Sequence, residues 1–488
     1  MLFNSKVFVA FLALVLAVYY WLPREGKLWF LLVMSYVFYG FWNPWLCLLI
    51  FGSTVIDYVC ALQIERAGDN RRGRNAWLGV SLAANLGALF FFKYTNFFVG
   101  SFVDSANLLG IPLQHDDFTL NILLPVGISF YTFQTLSYTI EVWRGNFAAD
   151  RNFRDFALFV SFFPQLVAGP VERATHLLPQ YKHEVRITVR QVQEGVFLIL
   201  LGFVKKVVIG DRLALWIDPW FATEVDSAPI ALMSILLFTT NIYVDFSAYS
   251  DIAIGLGRIL GYDIRPNFNL PFVVPSIPER WRRWHISMGH WFRDYIYFPL
   301  GGNRHGQVRT QLNVMAVMFL SGLWHGASYN FVVWGLLNGL TMVGHKLTSP
   351  LWKFLRIQTG RNPVTKWVYY YLACANTMLM ISLINIFFRS DTWPVAWSYV
   401  TSIFGRNPVE IPVYFYEVAV GTAELPSHYG DGFLFMALVI GVHEWERWGG
   451  LRAKILARPW VWGVSSVGML VYVLLFGIEG PEFIYFQF

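Results

Sequence analysis

Apolar stretches of about 20 residues recur along almost the whole chain, each long enough to cross a ~30 Å hydrocarbon layer. Inside a bilayer every backbone N–H and C=O must be satisfied internally, so the spans are either helices or strands of a closed barrel. A barrel would show short segments of alternating polarity, and this sequence does not. Only 14% of the residues are charged and 56% are hydrophobic. The expected fold is therefore all-α. It is a polytopic membrane protein of about eleven transmembrane helices plus re-entrant or interfacial helices, with residues 1–488 forming a single domain.

The first stretch, MLFNSKVFVAFLALVLAVYYWL, carries one Lys before its apolar run and no small-residue cleavage site. It is expected to remain as the first helix. Cys47, Cys60 and Cys374 are scattered and give neither a disulfide framework nor metal spacing. The net charge of +6 reads as the Lys/Arg excess of cytoplasmic loops, not as a nucleic-acid surface.

Loop charges set a topology. Segments 65–75, 144–154, 277–310, 345–366 and 443–458 are rich in Lys and Arg and read as cytoplasmic. Loop 104–118, with Asp104, Asp116 and Asp117, and loop 391–430, with Asp391, Glu410, Glu417 and Glu424, read as outside. Both termini then lie outside. Segment 311–343 begins and ends on the cytoplasmic side, so it must be a pair of short helices or a re-entrant hairpin. Its midpoint falls beside the WHGA sequence, near residue 327. A rise of 1.5 Å per residue from Gln311 puts His325 about 21 Å into the membrane. Segment 156–194, broken by Pro164, Gly169 and Pro170, reads as re-entrant or interfacial.

His325 is the strongest candidate for chemistry. No Asp, Glu, Lys or Arg occurs between Asn313 and Gly344, and an ionisable residue in such a run is a functional candidate by default. A neutral imidazole can take a proton from a hydroxyl as a general base. The alternative is a histidine hydrogen-bonded within a helix bundle. A second constellation is WRRWHISMGHWFRDYIYFPLGGNR, 281–304. On a continuous helix, Trp281, His285 and Gly289 share one face and Arg282, Ile286 and His290 another, so His285 and His290 point apart. They lack the i, i+4 spacing of a zinc pair, and no metal is expected. Arg282, Arg283, Arg293 and Arg304 could attract phosphates, or could hold lipid headgroups. Asp245 and Asp251 lie in an apolar run and need partners. Either arginines of the basic loop or a tunnel lining would serve. Gln134, Ser137, Tyr138 and Glu141 form a polar stripe best read as helix packing. Nucleophile elbows, P-loops and cysteine redox motifs are missing.

These two central segments occur with FFKYTNFF (91–98), LPVGISFYTFQTLSY (124–138), FFPQLVAGPVER (162–173), GFVKKVVIGDRLA (202–214), YVDFSAYSDIAIGLG (243–257) and a terminal FIYFQF. The ordered set resembles the membrane-bound O-acyltransferase family, in particular its bacterial polysaccharide O-acetyltransferase branch. The resemblance implies a ring of tilted helices around a central tunnel, with His325 catalytic and His285 at the second polar position. It implies acetyl-CoA as a cytoplasmic donor substrate, with no permanently bound cofactor. The acceptor would be a hydroxyl of a periplasmic partner protein or of an exopolysaccharide such as alginate, cellulose or another glycan. It further implies an inner-membrane location with both termini periplasmic, and lipid neighbours. Loop 391–430 is where partner choice could differ. From the residues alone, two other classes compete: a transporter or channel exporting an acyl group or glycan, and a scaffold of a polysaccharide synthase.

Overall fold

The computed structural model describes residues 1–114, 118–359, 362–405, 411, 413–414, 417 and 427–484. Asp116, Asp117, Glu410, Glu424 and the last four residues of the FIYFQF motif lie outside them. The described residues are helical, without strands. Five helices are long and apolar enough to cross a membrane: Leu46–Arg66, Arg71–Leu108, Ala228–Leu260, Pro363–Arg389 and Pro459–Phe476. The last of these buries only Ser466, and Val467, Leu470, Leu474 and Leu475 stay exposed, as a lipid-facing surface requires.

The chain divides into two compact units. The first comprises Met1–Val196 with Ile252–Arg265. It holds α1 (Lys6–Tyr19), α2 (Arg24–Gly40), α3 (Leu46–Arg66), α4 (Arg71–Leu89), α5 (Thr95–Leu108), α6 (Ile128–Arg144), α7 (Phe153–Ser161), α8 (Ala174–Tyr181) and the start of α9 (Val189–Phe203). A π turn, Phe90–Tyr94, carries α4 into α5 without a break. Helices α3, α4 and α6 meet around the fully buried Asp57. Its carboxylate accepts from Ser81 Oγ at 2.5 Å and from Asn85 Nδ2 at 3.0 and 2.9 Å.

The polar stripe of α6 is consumed by packing. Ser137 donates to the Gln134 carbonyl at 2.7 Å, and the Tyr138 hydroxyl accepts the Asp150 N–H at 2.9 Å. Glu141 accepts from Arg144 at 3.1 Å and Asn146 at 2.8 Å. Helix α7 has only nine residues, about 13 Å at the α-helical rise, too short to cross. The chain after it runs through turns at Phe163–Gly169 into α8.

The second unit comprises Phe197–Asp251 with Pro266–Phe488. Beyond the end of α9 and a π turn, Val204–Gly210, it contains α10 (Asp211–Phe221), most of α11 (Ala228–Leu260), α12 (Ile277–Arg283), α13 (Ile286–Phe292), α14 (Gly306–His325) and α15 (Tyr329–Leu347). It continues with α16 (Ser349–Thr359), α17 (Pro363–Arg389), α18 (Trp393–Phe404), α19 (Ser427–Gly449), α20 (Leu451–Leu456) and α21 (Pro459–Phe476).

Segment 311–343 is a helical hairpin. Helix α14 ends at His325, Gly326 is fully extended, and Ser328 starts α15 by accepting the Phe331 N–H at 3.4 Å. Glycines let the two backbones touch. A Cβ at Gly322 would lie 2.3 Å from the Phe331 carbonyl oxygen, and one at Gly335 2.5 Å from that of Met318. Small residues at a crossing are how helices approach closely where water cannot drive them together.

Asp245 and Asp251 pair with lysines, which corrects the expectation of arginines from the basic loop. Lys206 Nζ lies 2.7 Å from Asp245 and 2.8 Å from Asp211, and Lys205 Nζ 2.6 Å from Asp251. Both lysines sit on the π turn before α10, whose extra residue per turn offers adjacent side chains to α11.

Candidate active site

His325 is the last residue of α14 and is 7% exposed. Its ring lies 4.8 Å from Trp324, 4.9 Å from Trp334 and 5.1 Å from Phe388, centroid to centroid. Hydrogen bonds fix this aromatic cage. The Trp334 indole N–H donates to Asn385 Oδ1 at 3.1 Å, and Asn385 Nδ2 donates to Thr239 Oγ1 at 3.1 Å. The chain α15–α17–α11 therefore holds one wall of the histidine in register. His325 lines a cavity with Ile242, Arg280, Trp281, Asn338 and Asn385.

His285 does not lie on a continuous helix, which corrects the face assignment made from its spacing. It sits between α12 and α13 with φ 45°, ψ 53°. Among the described residues only it and Leu270 combine a side chain with positive φ. Such a conformation costs about 1–2 kcal/mol and persists only where the surroundings impose it. Here the segment 267–269 imposes it. The Ile286 N–H donates to the Asn267 carbonyl at 2.9 Å, and the Asn269 N–H to that of Arg283 at 3.0 Å. Ser287 Oγ donates to Asn267 Oδ1 at 2.6 Å. The His285 ring is 4% exposed, 4.8 Å from Phe246 and 5.8 Å from Trp324. Trp324 thus contacts both imidazoles, and the two histidines singled out from the sequence share one site.

The four arginines of the basic segment fall elsewhere. Arg283 pairs with Glu279 at 2.6 Å and Arg293 with Asp294 at 2.8 Å, while Arg282 and Arg304 are exposed. The guanidinium lining the His325 cavity belongs to Arg280, which sequence reading passed over. The signal was available: Arg280 and Trp284 are i, i+4 neighbours, and the guanidinium carbon lies 4.3 Å from the Trp284 ring. His443 was also passed over. It is 5% exposed, and its Nε2 lies 2.8 Å from the Tyr243 hydroxyl. The Gly-Gly turn of PLGGNR has a structural cause: Gly301 and Gly302 adopt φ 100° and 58°. Asn313 Nδ2 donates to the carbonyls of Leu300 at 3.2 Å and Gly302 at 2.9 Å. Among the described residues no cluster of His, Cys, Asp or Glu could hold a metal ion.

Residues 86–386, well over half of the chain, match the profile of the membrane-bound O-acyltransferase family. The chain belongs to that family. The membrane-bound O-acyltransferase is 40% identical over 406 residues to the probable alginate O-acetylase AlgI of Pseudomonas aeruginosa, covering 83% of this chain and 75% of that protein. It is 36% identical over 383 residues to the peptidoglycan O-acetyltransferase of Helicobacter pylori, covering 72% and 71%. It is 25% identical over 235 residues to the teichoic acid D-alanyltransferase of Bacillus subtilis, covering 46% and 59%. The matched region contains both histidines of the shared site. This decides between the classes left open by composition: the protein is a multi-pass membrane acyltransferase enzyme.

Proposed function

We propose that this acyltransferase moves an acetyl group from a cytoplasmic acetyl thioester, acetyl-CoA, to a hydroxyl of a periplasmic partner protein or of an exopolysaccharide of the alginate, cellulose or peptidoglycan kind. The observation that carries the reading is the pair His325 and His285, both in contact with Trp324 and each almost wholly buried. The names of the alginate and peptidoglycan relatives support acetyl transfer to a polysaccharide. In this reading about eleven helices ring a central tunnel in the bacterial inner membrane, with both termini periplasmic.

His325 removes the proton from the acceptor hydroxyl as the oxygen attacks the thioester carbonyl carbon. A C–O bond forms and the C–S bond breaks. The thiolate leaves and recovers the proton from the imidazolium, so thiol and ester are the products. His285 orients the acceptor or stabilises the charge that develops on the carbonyl oxygen. The exposed Arg282 and Arg304, with Arg283 and Arg293, draw the donor's phosphates toward the cytoplasmic face.

The test is His325→Ala in the full chain, purified in lipid nanodiscs and supplied with acetyl-CoA and an acceptor. Acetyl transfer is expected to fall by about 10²-fold or more at unchanged expression and melting temperature. Full transfer by the variant would remove His325 from the chemistry.

A further inference from the structure

Among the described residues no carboxylate pairs with Arg280. It is 4% exposed and lines the same cavity as His325. Its protein acceptor among the described residues is the Pro271 carbonyl, 2.7 Å from Nη1. The carboxylate beside it in sequence, Glu279, is taken by Arg283 at 2.6 Å. Two aromatic rings lie against it: Trp284 at 4.3 Å and Phe272 at 5.2 Å from the guanidinium carbon. A guanidinium carries five N–H donors in a rigid fork, and a single carbonyl leaves most of them unused. Burial acts against the charge of this guanidinium. Buried charges are normally paired, and an unpaired one facing a cavity is the mark of a place kept for a ligand.

We infer that Arg280 is a binding residue for a fixed oxyanion of the substrate, a carboxylate or phosphate that enters the His325 cavity and lies in the guanidinium fork. The inference rests on the acyl-transfer reading only for where the ligand comes from: a phosphate belongs to the donor, a carboxylate to a uronate acceptor. The Trp284 and Phe272 rings against the guanidinium carbon offer its N–H groups no carboxylate or carbonyl acceptor, and a guanidinium fork suits planar, bidentate recognition. Trp281 and Trp334, 5.9 Å apart, continue the apolar wall beside it. An anion placed there would be held in a site of low dielectric, where a charge pair is far stronger than in water.

The experiment measures binding, independently of turnover, by tryptophan fluorescence of the full chain in nanodiscs. Wild type, Arg280→Gln, Arg280→Lys and His325→Ala are titrated with two pairs of probes. CoA is compared with uncharged pantetheine, and an oligouronate with a neutral oligohexose. Wild type is expected to prefer the charged member of one pair, which identifies donor or acceptor as the source. Arg280→Gln should weaken that member alone by about thirtyfold or more. Arg280→Lys keeps a charge but not the fork and should fall between, and it stands in should the Gln variant not fold. An unchanged preference in both Arg280 variants, or no preference in wild type, overturns the inference. His325→Ala should retain the preference. Were His325→Ala fully active, the general-base reading would fail while the Arg280 site stood.

Discussion

Gly322 on α14 and Gly335 on α15 bring the two backbones of the hairpin into contact: a Cβ on either would stand 3.1 Å from the other's Cα. This crossing lies one turn from His325 and sets where the imidazole emerges.

Gly322→Ala should therefore force the helices apart. The expected destabilisation is about 1–3 kcal/mol, as for overpacked cores, with acyl transfer lost in proportion to the displacement of His325. Gly344, on the same hairpin with open space around it, is the control, and Gly344→Ala should be neutral or slightly stabilising. Equal melting temperatures for the two alanine variants would dismiss the close crossing.

His285 can be split into its backbone and its ring. Glycine tolerates positive φ without strain, so His285→Gly should be more stable to thermal unfolding than His285→Ala by about 1–2 kcal/mol. Both variants should nevertheless lose most acyl transfer. Wild-type turnover by the glycine variant would reduce His285 to a turn residue.

Lys206 sits between Asp211 and Asp245, at 1% side-chain exposure. Lys206→Met leaves two buried carboxylates uncompensated and should cost about 3–5 kcal/mol. Adding Asp245→Asn should return part of that loss. Thermal unfolding in detergent measures both, and additive losses would show that the charges do not act together.

His176 carries a pH dependence in the first unit. Its Nδ1 lies 2.9 Å from Glu172 and its Nε2 3.4 Å from Asp263. Hydrogen bonds to Asp263 and then Glu172 raise it from 6.5 to about 9, against desolvation and the nearby Arg265. A folded pKa above the unfolded one contributes stability that is complete below about pH 6.5 and lost as pH rises through 9. The melting-temperature gap between wild type and His176→Gln should be widest near pH 6 and close by pH 10. A gap that stays constant across that range would show that the imidazolium contributes nothing.

The helical hairpin was legible because charge is absent from 314–343 and present on both sides, a pattern one crossing cannot satisfy. The burial of a histidine at the turn of that hairpin was legible for the same reason. The break at His285 was not. WRRWHISMGHWF has a helix-compatible pattern, and the force that interrupts it comes from Asn267, a loop residue 18 positions earlier in the chain. The partners of Asp245 and Asp251 were missed because a basic loop looked like the nearest source of cations. The π turn that delivers Lys205 and Lys206 side by side has no signature in residue periodicity. Arg280 was hidden among PERWRR, where composition marks a basic stretch without saying which guanidinium turns inward.

The fastening of His285 by Asn267 makes the two positions one heritable unit. A lineage that loses the amide at 267 keeps the main-chain bonds but loses the side-chain hold on Ser287, and the histidine's unusual backbone is then less firmly imposed. Residues 267 and 285 should therefore change together or not at all when such enzymes diverge toward new acceptors. Neither could be transplanted alone into a redesigned transferase.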